Sequence, residues 1–349
     1  KRQVLGGGAL RHKTTGEARF MLGRLDLDTA APQAEEVEID FLVHGITPHP
    51  TRRREIVMFE KHGPGCAVFD LEAREVVRTV ACAPHRQFYG HGAYSRDGSL
   101  LYCTESDPRD GRRGYITVRD GRTFETLGDF PSHGLAPHDC QFAKDGTTLV
   151  VANGGSGAGR DEDLPGVAFV DVRDGKLLDV LPVPSAHINA GHLDLTEAGD
   201  LALVSAPRDG YDPARACGGV SLRAAGAALT TVREPEAIVT KLLGETLSLA
   251  IHPGTRVVGA TTPLGNFVTF WNLDTGALVG KLRVPNPRGI ALSLSGEEFL
   301  INFGAPPRVA RVHAQTLRPV DAAGNQRGYL SMVSGSHIYV DDASSIAAE

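Results

Sequence analysis

A repeating unit limits the folds open to this chain more than any other feature. Each unit carries a tight turn, usually of the Asp-Gly or Pro-Gly type, that is followed by a strongly apolar strand. The residues two before the turn pairs are His49, Ser95, Ala143, Thr196, His252 and Ser293. Their spacings are 46, 48, 53, 56 and 41 residues. Repeats of about 40 to 50 residues are typical of the four-stranded blades of a β-propeller.

Four short strands can be read in each unit, for example "HGAYS", "LLYCTES", "GYITVRD" and "FETLGDF" in the second. Each is a run of apolar or β-branched residues bounded by turn residues, with no helical period. Six units are visible, and we assemble a seventh from an inner strand "GYLSMVS" and the outer strands "RFMLGRLDL" and "EVEIDFLV". The sequence therefore predicts an all-β fold. We expect a single domain over residues 1–349, a seven-bladed β-propeller of four-stranded antiparallel blades closed by N- and C-terminal strands in one blade.

Composition agrees with this fold and excludes several classes of protein. The 349 residues include 41 Gly and 21 Pro, which favours short strands and turns over long helices. A net charge of -6 with scattered Lys and Arg argues against a nucleic-acid-binding surface. No run approaches 18 consecutive apolar residues, so we expect no membrane span. The five cysteines lack CxxC spacing, which excludes a zinc ribbon and a fully paired disulfide framework.

The order of strands in a blade places particular loops together. In an up-and-down blade the start of the first strand and the loop between the second and third strands lie on one face. Three of these loops are long: 105–114, 154–166 and 206–219. We expect them to surround the same channel opening as His91, and long loops on a rigid scaffold often carry function.

Histidines recur at that face. Aligned on their turns, the first strands of four consecutive blades each place one imidazole in one of two adjacent columns. These residues are His44, His91, His138 and His192. Neighbouring glycines such as Gly45 and Gly90 allow unusual backbone dihedrals and close approach. Because imidazole is the commonest protein ligand for Zn, Cu, Fe and Ni, we predict a transition-metal site at the channel mouth. Metal binding would weaken as the pH falls through about 6.5, where free imidazole gains a proton.

Other residues near the columns have less defined roles. Asp139, Cys140 and Arg288 are accessory candidates. Cys140 could supply a thiolate ligand for copper, but a buried core thiol is favoured, because free Cys is among the most buried residue types. His49 and His252 lie in turns of the opposite face and are expected at the surface. The histidines without equivalents across the blades are His62, His85, His133, His187, His313 and His337.

The segments "HGITPHP", "FYGHGAYSRDGSLLYCTES", "GLAPHDCQFAKDGTTLVVANGG", "GHLDLTEAGD" and "GYLSM" resemble an uncharacterised bacterial family of seven-bladed propellers, a domain of unknown function. Its members typically carry a twin-arginine export signal and are often encoded beside imelysin-type, iron-regulated periplasmic proteins and a di-haem peroxidase-like protein. The resemblance implies a periplasmic protein in a metal-acquisition setting. The chain starts at Lys1 without a Met, so any targeting segment is expected to have been removed.

Three hypotheses follow. In the first, the four histidines hold a transition-metal ion, iron or copper in preference to zinc, and the protein works with periplasmic partners of an iron-uptake system. In the second, the propeller holds no metal and docks a protein partner on the long-loop face. In the third, it is an enzyme of the lactonase or dehydrogenase-subunit kind. The fold alone does not license an activity, so the question of catalysis stays open.

Overall fold

The computed structural model describes residues 2–12, 14–28, 34–160, 163–320, 329–331 and 333–342. The chain begins with three strands of the blade that closes the ring: β1 (Arg2–Arg11), β2 (Ala18–Asp26) and β3 (Ala34–Ile39). The strands of blade 1 follow, with one extra strand: β4 (Gly45–Pro48), β5 (Glu55–Phe59), β6 (Lys61–Gly63), β7 (Cys66–Asp70) and β8 (Glu75–Thr79). Of these, β6 pairs with the next blade rather than with its own.

Blades 2 to 4 repeat the same order of four antiparallel strands. Blade 2 contains β9 (Gln87–Tyr94), β10 (Leu100–Asp107), β11 (Arg113–Asp120) and β12 (Thr126–Leu135). Blade 3 contains β13 (Pro137–Phe142), β14 (Thr148–Asn153), β15 (Gly166–Asp171) and β16 (Lys176–Pro182). Blade 4 contains β17 (Leu193–Leu195), β18 (Leu201–Ser205), β19 (Gly219–Arg223) and β20 (Thr230–Thr231).

The remaining strands complete blades 5 and 6 and supply the last strand of the ring. A one-turn helix, α1 (Glu236–Val239), precedes blade 5. Blade 5 contains β21 (Leu249–His252), β22 (Val257–Thr262), β23 (Phe267–Asn272) and β24 (Leu278–Arg283). The final strands are β25 (Pro287–Leu292), β26 (Glu298–Phe303), β27 (Arg308–His313), β28 (Tyr329–Leu330) and β29 (Tyr339–Asp342). The seven-bladed antiparallel propeller predicted from the repeats is thereby confirmed.

Closure of the ring is confirmed, but its inner strand was assigned wrongly. The closing blade has the order β29-β1-β2-β3, with Leu5 opposite Tyr339. The segment "GYLSMVS" instead supplies β28, the outer strand of blade 6, where Tyr329 pairs with Val309. Strand β1 was not recognised in the sequence because it contains three glycines, and Gly is depleted in strands. Gly7 is nevertheless required, since a Cβ there would overlap the backbone carbonyl of Val43.

The core lies between neighbouring sheets, where alternate side chains of adjacent blades meet. Trp271 of blade 5 packs with Val258 of its own blade and Val220 of blade 4 in one of these layers. The indole is fully buried, and its N–H donates to the Thr269 hydroxyl at 2.8 Å. Each such side chain contributes about 1.5–3 kcal/mol through burial. These layers fix the blades and therefore the positions of the strand ends at the axis.

The three long loops meet at one end of the axis, but His91, which was predicted to lie at their opening, lines the channel of the other face. Arg112, Ser156 and Asp209, one from each long loop, line a cavity together with His138. Among the described residues, no helix has the length and apolar character needed to cross a membrane.

Candidate metal centre

Five imidazoles meet on the axis of the propeller. The ring centroids of neighbouring members lie 4.0–5.5 Å apart. The members of this histidine cluster are His44, His91, His138, His192 and His337. The side chains therefore converge and do not point into separate blade cores.

Four of these imidazoles form a compact set of possible ligands. His44, His91, His192 and His337 each offer one ring nitrogen, and these atoms all lie within 4.8 Å of one another. The Nε2 atom of His192 is 2.7 Å from Nε2 of His337 and 3.4 Å from Nε2 of His44. For four nitrogens at about 2.0–2.1 Å from a tetrahedral ion, the spacing between nitrogens is about 3.3 Å. The observed spacings bracket this value, so small side-chain shifts would close the set around one ion.

Irregular strand pairing brings the two histidine columns together. In blade 2, Phe88 pairs with Glu105 and Gly92 with Cys103, so three residues of β9 face one residue of β10. The bulge includes His91 and redirects it, because extra residues in one strand of a pair re-aim side chains. Blade 3 has a similar irregularity at His138. Histidines that differ by one position in the strand alignment can therefore point to the same place. In an ideal strand, side chains one position apart would point to opposite faces.

Glycine is needed where the first two histidine-bearing strands touch. Gly90 has a φ of 115°, in the region that favours glycine. A Cβ on Gly90 would lie 2.7 Å from Cδ2 of His44. The absence of a side chain at this position lets the His44 ring pack directly against the backbone of β9.

Hydrogen bonds orient individual rings. Nδ1 of His192 donates to the carbonyl oxygen of Leu247 at 2.6 Å, which leaves the Nε2 lone pair facing the cluster. Histidines that bind metals commonly donate their second ring nitrogen to a carbonyl in this way. Nδ1 of His138 similarly meets the carbonyl of Tyr89 at 3.2 Å, but its Nε2 atom faces the Lys61 ammonium at 3.4 Å. The lone pair of His138 is thus directed away from the four-nitrogen set.

One ring nitrogen of the histidine cluster lacks a partner. Nε2 of His91 is buried and has no hydrogen-bond partner among the described residues. The other ring nitrogen, Nδ1, lies 3.6 Å from a carboxylate oxygen of Asp139. Asp139 itself accepts the backbone N–H groups of Cys140 and Leu193 at 2.8 and 3.1 Å. A buried polar atom without a partner costs about 1–3 kcal/mol, and a metal ion would satisfy it.

The electrostatic environment keeps these rings neutral. Burial is the largest cause that lowers the pKa of every member of the histidine cluster. For His91 burial, followed by the charge of Lys61, lowers the pKa to about 3. Burial also raises the pKa of Asp139 to about 7. Only neutral imidazole can bind a metal through its lone pair, so the cluster is in the ligand-competent state at neutral pH.

A channel reaches the cluster from the face opposite the long loops. It has a volume of about 570 Å³ and passes Pro48, Arg96 and Gln141 before it meets His91, His192 and His337. None of these residues lines the smaller cavity on the long-loop face, where His138 is the one cluster member present. The histidine cluster therefore separates two compartments along the axis.

Residues 38–327 match the family described as "Protein of unknown function (DUF1513)". The chain belongs to this family. The match confirms the resemblance to an uncharacterised family seen in the sequence. None of the curated proteins matches the chain. Among solved structures, Kuenenia stuttgartiensis hydrazine synthase is similar with a TM-score of 0.50 and 15% identity, over 82% of this chain and 99% of that chain. At this identity the similarity concerns the fold alone.

Three of the four predicted histidines belong to the compact set. The fourth member of the set is His337, whereas His138 belongs to the histidine cluster but not to the set. His337 was missed because the inner strand of the closing blade was assigned to the wrong segment. It directly precedes buried Ile338, just as His192 directly precedes buried Leu193. Correct assignment of β29 would have placed His337 in the same column as His91 and His192.

The accessory candidates lie near the cluster in different environments. Cys140 is buried among apolar residues of blades 2 and 3, and burial raises its pKa, as expected for a core thiol. Arg288 donates to the Ser336 hydroxyl at 3.3 Å. The expectation that His49 is a surface residue was wrong. It is 2% exposed, and its Nδ1 accepts the backbone N–H of Arg52 at 2.9 Å, which ties down the turn that follows it.

Proposed function

We propose that this propeller binds one transition-metal ion through His44, His91, His192 and His337 and handles that metal in the periplasm. The observation that carries the proposal is the convergence of four ring nitrogens within 4.8 Å, from residues within or just before the innermost strands of four different blades. The buried, unpartnered Nε2 atom of His91 supports it, since it has no structural role of its own. The site also has the rigidity that ligand groups need, because each strand is fixed by packing between blades.

The ligand chemistry narrows the choice of metal. Neutral imidazoles suit Fe(II), Cu(II) and Zn(II), whereas Ca²⁺ and Mg²⁺ require oxygen ligands. The four-residue set contains only imidazoles, and Asp139 is not one of its members. We propose iron or copper as the resident ion. The resemblance to exported propellers encoded near iron-regulated proteins supports this choice and the periplasmic setting, with partners in an iron-uptake system.

Direct metal titration tests the proposal. Untagged, metal-free protein would be titrated separately with Cu(II), with Fe(II) under anaerobic conditions and with Zn(II), each in competition with a chromophoric chelator. We expect one ion to bind per chain, and the electron paramagnetic resonance spectrum of the Cu(II) form should show coupling to several imidazole nitrogens. The His91→Ala variant should bind the metal about 100-fold to 1,000-fold more weakly.

His252→Ala is the matched control. His252 is the last residue of β21 and lies outside the histidine cluster; its Nδ1 accepts the backbone N–H of Thr255 at 2.9 Å, and its loss should leave metal binding unchanged. If the protein fails to compete with the chelator for any of the three metals, the metal proposal fails and the scaffold hypothesis takes its place. Release of the mature protein from its native host by osmotic shock would test the periplasmic setting.

A further inference from the structure

A second compartment lies on the long-loop face, across the histidine cluster from the channel. It has a volume of about 110 Å³, enough for several water molecules or a small ligand of a few heavy atoms. Its polar lining groups include Lys61, Tyr89, Arg112, His138, Asp209 and Glu245. Concave sites with a few converging polar groups are where small ligands usually bind.

The cationic groups of this compartment are held in place. Lys61 belongs to β6, which pairs with the neighbouring blade through Lys61 and Tyr89. Arg112 has a φ of 68°, its guanidinium contacts Asp209 at 2.7 Å, and it donates to the Tyr89 hydroxyl at 3.5 Å. Both cations are therefore positioned by backbone geometry and side-chain contacts before any ligand arrives, which lowers the entropic cost of binding.

The charge of Lys61 is not matched by a contacting carboxylate. Its polar contact is Nε2 of His138 at 3.4 Å, and no carboxylate of the described residues forms an ion pair with it. Glu245 lines the same compartment and Asp209 is engaged by Arg112. An ammonium group has three donors, and one contact with an imidazole leaves the others free for a ligand. The carboxylates of Glu245 and Asp209 act on the Lys61 ammonium through space without contacting it, so an anion bound against the ammonium would add the direct partner that it lacks.

We propose that this compartment binds a small oxyanion, a carboxylate or an inorganic oxyanion, between Lys61 and Arg112. The anion would lie beside His138 and on the other side of the histidine cluster from the channel. Binding of the anion requires no metal, so this site goes beyond the proposed metal function and can be tested independently of it. The shared chemistry of the ligand is a compact group of negatively charged oxygens.

Calorimetry on the full chain tests this site. Acetate and phosphate would be titrated separately in a low-chloride buffer, so that the two sources of anionic oxygen are distinguished. We expect at least one of them to bind saturably, and the Lys61→Met variant to bind it at least tenfold more weakly. Met keeps most of the apolar stem of Lys, and Arg112→Gln provides a second variant with the same expectation.

Lys144→Met removes the same charge from a turn of the opposite face, where Lys144 contacts Glu197 at 3.4 Å, and should bind the anion like the wild type. The His91→Ala variant should also retain anion binding even where metal binding is lost, which separates the two proposals. Absence of binding for both anions, or undiminished binding by both the Lys61 and Arg112 variants, would overturn the anion site. Binding of methylammonium in place of the anions would show instead that Glu245 and Asp209 select a cation.

Discussion

Replacement of His337 separates the ligand set seen in the structure from the one expected from sequence. In the His337→Ala variant the Nε2 atom that lies 2.7 Å from Nε2 of His192 is removed. Four-ligand structural zinc sites bind with about 10–16 kcal/mol, or about 2.5–4 kcal/mol for each ligand. Loss of one ligand should therefore raise the Kd about 100-fold to 1,000-fold.

The matched variant is His138→Ala. The lone pair of His138 faces Lys61, not the other imidazoles, so its loss should raise the Kd by less than about tenfold, below the range usual for groups that orient metal ligands. Both variants would be compared by chelator competition after circular dichroism has shown that each is folded. A large loss in His138→Ala with little change in His337→Ala would refute the ligand set and restore the four histidines predicted from sequence.

Further outcomes follow from the same contacts. Gly90→Ala should displace the His44 ring, lower the free energy of unfolding by about 1–3 kcal/mol and weaken metal binding. Urea unfolding and chelator competition would measure these two effects, and an unchanged Kd for the metal would contradict the role of this glycine. Because burial lowers the pKa of the cluster imidazoles, protons compete less well, and the midpoint of metal loss should lie below pH 6.5; a midpoint at or above 6.5 would count against buried ligands. The hydrogen bond from Arg256 to Asp200, at 3.0 Å, lowers the pKa of Asp200 to about 2. Asp200→Asn should therefore lower the free energy of unfolding by about 2 kcal/mol at pH 7, and this difference should vanish as the pH falls through 2. Equal pH profiles of the wild type and the variant in urea unfolding would contradict this prediction.

The fold could be predicted because its signals are local. A turn of fixed type recurs with each blade, and the strands between turns are short apolar runs with no competing helical period. The closing blade was harder, since β1 contains three consecutive glycines and its partner strand is more than 300 residues away in sequence. The inner strand β29 has the sequence YVDD, whereas the segment "GYLSMVS" around the outer strand β28 is more apolar, so local pattern favours the wrong segment as the inner strand.

The candidate site could be predicted only in part, for the same reason. His44, His91 and His192 were found because their strands were aligned correctly, whereas His337 lies two residues before β29, the strand that was misassigned. The direction of the His138 lone pair depends on Lys61. This lysine lies on β6, which follows a strand of blade 1 in sequence but pairs with blade 2. The bulges that bring the two columns together arise from pairing between strands. Contacts of this kind are set by tertiary structure, and spacing along the chain does not encode them.

The metal content of untagged protein, purified from its native host and read together with an anomalous-scattering map, tests the central claim most directly. We predict about one equivalent of iron or copper per chain and a single anomalous peak about 2.0–2.2 Å from the ring nitrogens of at least three of His44, His91, His192 and His337. A protein that carries no metal, and shows no peak in the cluster after crystals are soaked in Cu(II), Fe(II) or Zn(II), would contradict it.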